Sequence, residues 1–169
     1  MNPILAAGLL IGVFCGLWTF VMGVTGWYKD PAMMNAFWVV VVIQLFGLVW
    51  GLRQTARQGR GWASQVLAGT LMSVIAGVVI VASSLLFTIV FFPEYFAEIE
   101  RMGREVMRQQ GKSAEEIATA LEASRLLATP MTQAMAGFTG TLITGIVASA
   151  AIALVVRAKP MAGVAPPAA

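Results

Sequence analysis

Long apolar runs alternate with polar joints along this chain. Four such runs stand out: Pro3–Thr25, Ala32–Leu52, Trp62–Phe92 and Pro130–Val156. About 20 predominantly apolar residues suffice to cross a bilayer as a helix, so each run predicts one span. The third run is long: as a helix it would reach roughly 46 Å, against a hydrocarbon core of roughly 30 Å. It must tilt or emerge from the bilayer. The first run has no basic flank and no convincing cleavage site, and so reads as a retained helix rather than a signal peptide. Between the first two runs, Lys29, Asp30 and Pro31 predict a tight turn.

Small residues recur every fourth position within the runs. Gly8, Gly12 and Gly16 lie on one face of the first span, and Gly47 and Gly51 on one face of the second. Gly69, Ser73 and Gly77 form a row on the third. The fourth carries two adjacent rows, Gly137, Thr141, Gly145 and Ser149 beside Ala136, Gly140, Thr144 and Ala148. In lipid, helices associate through close packing, and small-xxx-small rows let backbones approach. These rows are therefore expected helix contacts. Two rows on one helix also leave room for a homodimer.

The stretch Pro93–Thr129 breaks the pattern and holds seven of the eight acidic residues. Tyr95, Phe96, Ile99, Met102, Val106 and Met107 recur at helical spacing, with Glu98, Glu100, Arg101, Arg104, Glu105 and Arg108 opposite. Glu100–Arg104 and Arg101–Glu105 are i,i+4 pairs. Phe92 precedes a proline and should leave helical space, and Pro93 suits the first position of the next helix. Gly111 fits a helix C-cap. Ser113-Ala-Glu-Glu116 matches a capping box and opens a second helix with Ile117, Leu121, Ser124 and Ala128 on one face. Thr129-Pro130 supplies an N-cap and an N1 proline. The expected architecture is all-α: four transmembrane helices in a bundle, with an extramembrane amphipathic helical hairpin at 93–129 between the third and fourth spans. One domain covers 1–160, and 161–169 is a short flexible tail. The hairpin is either a solvated lid, with its stripes laid on the bundle or the headgroups, or a docking surface or gate for a partner.

Composition agrees with this pattern. Apolar residues make up 59% of the chain and charged residues 11%, against about 25% charged in soluble domains, and the mean hydropathy is +0.82. The net charge of +3 comes from bases at helix ends. Such bases suit anionic headgroups and orientation control rather than nucleic acid, which needs a clustered basic face. Arg53, Arg57 and Arg60 crowd one short loop without an acid, and Arg157 and Lys159 follow the fourth span on the same side. The positive-inside rule then puts both termini in the cytoplasm and 93–129 in the periplasm or outside. Trp27 and Tyr28 read as an interfacial aromatic belt.

Little chemistry is on offer. With no histidine and a single cysteine, Cys15, an intramolecular disulfide is impossible, and no cofactor or metal is expected. Mid-helix, Cys15 reads as buried and inert. No acid or base lies within the four runs, and there is no nucleophile–base set and no phosphate-binding loop. Gln44 is either an interhelical hydrogen-bonding group or, with Ser83, Ser84, Thr88, Thr141 and Thr144, part of a polar path. Glu98, Glu100, Glu105, Glu115 and Glu116 lie among arginines and read as a solvated face rather than an acid–base pair or a divalent-cation site.

Several of these features occur together in one family. The glycine-bearing first span, Phe92-Pro93-Glu94-Tyr95-Phe96, Gly111-Lys112-Ser113-Ala114-Glu115-Glu116-Ile117, Thr129-Pro130, and the fourth span with Gly140 and Gly145 followed by Arg157 and Lys159 form one set. In these features the chain resembles a bacterial family of small membrane proteins known as a domain of unknown function, forty-one ninety-nine. The resemblance implies a four-span protein of the bacterial inner membrane and transfers no activity. The residues point to a non-enzymatic membrane protein, a scaffold, accessory subunit or regulator acting through 93–129. The alternative is a small transporter or channel, as a homo-oligomer. The expected partners are the lipid bilayer and either another membrane protein or a second copy.

Overall fold

A computed structural model describes residues 2–30, 32–125 and 127–156. Pro31, Arg157, Lys159 and the tail at 161–169 lie outside them. The described residues form helices and turns without a strand. Four helical stretches are long and apolar enough to cross a membrane: Pro3–Thr25, Asn35–Ala56, Trp62–Phe91 and Pro130–Val155.

Helix α1 (Pro3–Thr25) starts where Asn2 accepts a hydrogen bond from the Ile4 N–H and Pro3 fills the first turn, and it stops at Gly26, whose φ of 72° is left-handed. A 3-10 turn, Trp27–Lys29, follows. Asp30 makes the next turn itself, its Oδ1 accepting from the Ala32 N–H at 2.8 Å and its carbonyl from the Met33 N–H at 2.9 Å. A second 3-10 turn, Met34–Trp38, leads into α2 (Val39–Ala56). Trp18 Nε1 donates to the Ala36 carbonyl at 2.9 Å and ties this turn to α1.

The second span thus ends at Ala56, beyond the Leu52 expected from hydropathy. Arg53 sits in its last turn, where a cation favours the negative end of the helix dipole. Thr55 is fully buried, its hydroxyl close to the Leu52 and Gly51 carbonyls.

Helix α3 (Trp62–Leu85) does not run unbroken to Phe92. It widens into a π segment, Leu86–Phe91, closed by the Phe92 N–H donating to the Phe87 carbonyl at 2.8 Å. Phe92 leaves helical space (φ −132°, ψ 64°) because proline follows it. Pro93 does not open the next helix. It lies in a turn, and α4 (Tyr95–Gln109) begins after Glu94. The turn carries Tyr95 toward Tyr28, with ring centroids 5.2 Å apart.

Helix α4 ends where Gly111 adopts φ 75°, with the Lys112 N–H reaching back to the Met107 carbonyl at 3.1 Å, a Schellman closure. The capping box opens α5 (Ala114–Arg125): the Ser113 N–H donates to Glu116 and the Glu116 N–H to the Ser113 hydroxyl, at 2.8 and 3.2 Å. Thr129 caps α6 (Pro130–Val155), accepting from the Thr132 N–H at 3.1 Å.

Helix α3 packs on both α1 and α6, and α2 packs on α1, α3 and α6. The core cluster draws Ile4, Ala7, Ile11 and Cys15 from α1, Leu48 and Leu52 from α2, and Ala68, Met72 and Ala76 from α3. The outward faces expose Phe14, Val24, Phe46, Leu67, Val78 and Val147. A soluble monomer does not display large apolar groups on every face; in a bilayer these side chains meet acyl chains.

Candidate functional site

The packing seams decide what the interior can do. The α1 row faces α3. A Cβ on Gly8 would lie 2.7 Å from Ile75 Cβ, one on Gly12 2.6 Å from Val79 Cβ, and one on Gly16 2.6 Å from Ser83 Oγ. The row continues to Gly23, which accommodates the Phe87 and Phe92 rings. Gly47 lies on Ile11, and Gly51 lies on Ala7 and Met72. The α3–α6 seam is reciprocal: Gly69 makes room for Ser149, and Gly145 for Ser73. Gly77 faces Phe138, and Gly137 faces Ile80 more loosely. Thr141 lies half-buried in the same row. In the second row of α6, Ala136 and Gly140 are exposed, and a Cβ on Gly140 would meet only open space.

The polar groups inside the spans are mostly spoken for. Buried Gln44 donates through Nε2 to the Thr141 carbonyl at 2.6 Å. Ser73 donates to the Gly69 carbonyl, Ser83 to that of Val79 and Thr88 to that of Ser84; these bonds to the preceding turn need no partner helix. Thr144 is half-buried on α6. Among the described residues no hydrogen bond links the Gln44–Thr141 contact to Ser84 and Thr88.

One buried pair escaped the sequence reading. Thr55 Oγ1 and Gln65 Oε1 are 2.7 Å apart, both nearly inaccessible, while Gln65 Nε2 has no partner. The threonine has one proton and several acceptors around it. With the amide turned over, Nε2 donates to Thr55 Oγ1 while the hydroxyl donates to the Leu52 carbonyl. The sequence does hold a signal: Gln65 begins the row that continues through Gly69, Ser73 and Gly77.

At the end of the spans nearest α4, chemistry and packing converge. Tyr28 donates its phenol to one carboxylate oxygen of Glu98, and Lys29 Nζ lies 2.7 Å from the other. Around them Phe87, Phe92 and Tyr95 pack at centroid distances of 4.5 to 6.5 Å, mostly edge to face, and Phe96 adjoins Tyr95. Gln133 on α6 donates to the Tyr95 hydroxyl at 3.4 Å. Tyr28 is therefore covered by protein rather than standing in an open aromatic belt. Lys29 and, after it, Tyr28 hold the Glu98 carboxyl below its usual range. Burial and then Glu98 push the Tyr28 phenol up, and Glu98 raises Lys29.

Helices α4 and α5 meet along a second polar junction. Glu100 accepts two hydrogen bonds from Arg125, both at 2.7 Å, and one from Arg104 at 3.0 Å. Arg125, more than Arg104, lowers the Glu100 carboxyl. Glu116 is lowered by the Ser113 backbone N–H that it caps. Beside this junction lies a groove of about 370 Å³ containing Arg104, Arg108, Ile117, Leu121, Glu122 and Arg125. Ile117 and Leu121 are buried. Tyr95, Phe96, Ile99 and Met102 are half-buried, while Val106 is 41% exposed and leaves the stripe facing outward. Among the described residues no group of three or more His, Cys, Asp or Glu side chains is placed to hold a metal ion.

Close-packed apolar helices of spanning length, with polar helices joined to one end, define an all-helical, multi-pass membrane protein. Residues 7–158 match the family described as "Protein of unknown function (DUF4199)", and the chain belongs to that family. No curated protein and no solved structure matches it.

Proposed function

We propose that the protein is a non-enzymatic scaffold, accessory subunit or regulator of the bacterial inner membrane. In this reading the α4–α5 segment is an extramembrane hairpin and serves as the recognition element. The observation that carries it is the Glu98 junction. Glu98 and Tyr95 bind α4 to residues at the ends of the spans, yet no α4 residue is fully buried. A helix held firmly at one end and open along its length is a surface on offer. The arginines at the end of α2 and in the loop after it, Arg53, Arg57 and Arg60, would face the cytoplasm, leaving the hairpin on the opposite side.

The test is a photo-crosslinking amino acid in place of exposed Arg104 or Glu105, followed by mass spectrometry of the adducts from intact membranes. A specific, saturable membrane-protein partner or a second copy is expected. Adducts restricted to lipid would count against the reading.

A small transporter or channel draws support from one feature, the π segment that follows Ser84 and contains Thr88, since π turns inside helices recur at functional sites. The bond from Gln44 to Thr141 weakens that case by occupying this buried amide. Flux through reconstituted vesicles that fell with Gln44→Leu would favour it.

A further inference from the structure

We propose that α4 and α5 form one preassembled arm, latched to the bundle through Tyr95 and Glu98, and that the arm swings away as a unit when this latch opens. The motion is independent of whether the arm docks a partner.

The arm is braced internally. Glu100 accepts from Nε and a terminal nitrogen of Arg125, both at 2.7 Å, and from Arg104 at 3.0 Å, so one carboxylate joins the two helices. Ile117 and Leu121 are the buried residues of α5, and the main neighbour of α5 is α4. Gly111 and the Ser113–Glu116 box close the tip. Among the described residues, the side-chain hydrogen bonds and ion pairs made from Ile99 to Arg125 all stay within the arm.

The attachments to the bundle gather in the first turn of α4. Tyr95 meets Tyr28 and Phe87 at centroid distances of 5.2 and 5.4 Å, and its hydroxyl accepts from Gln133 at 3.4 Å. Glu98 holds Tyr28 and Lys29. Lys29 is exposed, so water can replace it on the carboxylate at little cost. A unit joined firmly within itself and weakly to its support moves as one body.

The connections supply a hinge. Phe92, at φ −132° and ψ 64°, and Pro93 lead into the arm. Leu127, Ala128 and Thr129 lead out, with Thr129 extended at φ −118° and ψ 153°. Backbone rotation at these non-helical residues leaves the hydrogen bonds of α3 and α6 intact. Gln133, one turn into α6, reaches Tyr95 and so keeps the two crossings near each other. Rotation about the line joining them moves the arm without stretching either crossing. It also has a consequence for the surface. Tyr28 and Phe87 are 8% and 2% exposed beside Tyr95, and the swing withdraws Tyr95 and Glu98 and opens this aromatic seat.

The experiment places pairs of spin labels on the full chain in lipid nanodiscs, in a Cys15→Ala background. Asn35→Cys with Lys112→Cys measures the arm against the bundle, and Ala97→Cys with Ala123→Cys measures within the arm; all four positions are exposed. The parent should give one dominant distance for each pair. Glu98→Gln should raise the share of a second arm–bundle distance about fivefold, and Glu98→Gln combined with Tyr95→Leu should raise it further. The within-arm distance should stay that of the parent in both variants, because rare local fraying leaves the dominant population unaltered. An arm–bundle distribution unchanged in the double variant overturns the proposal. Loss of the within-arm distance also overturns it, since the two helices would then separate rather than swing together.

Discussion

Lys29 Nζ donates to Glu98 Oε1 at 2.7 Å, although the two residues stand sixty-nine positions apart in the chain. Tyr28 donates to the other oxygen of the same carboxylate. One side chain thus ties α4 to the turn that follows α1. Glu98→Gln keeps the shape and removes the charge on which both donors depend. Amide hydrogen exchange across Tyr95–Gln109 should rise several-fold, while exchange in α1, α3 and α6 stays unchanged. Unchanged exchange in α4 would mean that the aromatic contacts alone hold it.

The same junction sets a pH window. Glu98 has a depressed carboxyl, so its contribution is complete above the ordinary value of 4.5 and is lost as pH falls through the lower folded value. Tyr28 and Lys29 are raised from 10.0 and 10.5. Their contributions are complete below those values and disappear as pH rises through the folded ones. Protection of α4, after correction for intrinsic exchange chemistry, should be flat between these limits and fall at both ends. In Glu98→Gln the acid limb attributable to this junction should vanish.

The α1–α3 seam tolerates no added carbon at Gly12. A Cβ there would lie 2.6 Å from Val79 Cβ and 2.9 Å from the Ala76 carbonyl, a backbone atom that cannot swing aside. Gly12→Ala should cost about 1–3 kcal/mol as overpacking. Gly140→Ala points into open space and should not destabilise, since alanine is favoured over glycine within a helix by about 0.5–1 kcal/mol. Thermal melting of both variants in one detergent is the comparison. Equal melting temperatures would refute the tight seam.

Gln44→Leu removes the donor to the Thr141 carbonyl. Interhelical hydrogen bonds in membranes average about 0.6 kcal/mol and reach about 1.7. A loss within that range is expected by reversible unfolding in mixed micelles, with no change in vesicle permeability. A stability unaffected by the substitution would show that leucine packing compensates fully.

Helix termini were legible wherever the signal and its effect are neighbours in the chain. Gly111 closes α4, Ser113 and Glu116 cap each other, and Thr129 caps α6 because each acts within one turn. Pro93 was harder. A proline excludes helix from the residue before it, but the following helix can start at Pro93 or two residues later. The site of Tyr95 against Tyr28 accompanies the later start. Hydropathy stops at Arg53, whereas a buried Thr55 and its partner on α3 accompany the helix on to Ala56.

The apolar runs determined four membrane-length helices, since a bilayer demands length, apolarity and internally satisfied backbones, and all three are properties of a single segment. Only the tertiary structure decided which surfaces meet. Glycine spacing marks a face but names no partner; Gly145 against Ser73 and Gly69 against Ser149 depend on how α6 runs beside α3. The charges of Lys29 and Glu98 likewise carry no mark of each other in the chain. Their pairing exists because the aromatic residues around Phe87 and Phe92 bring the start of α4 over the end of α1, and contact across sixty-nine residues follows from packing rather than from any local preference.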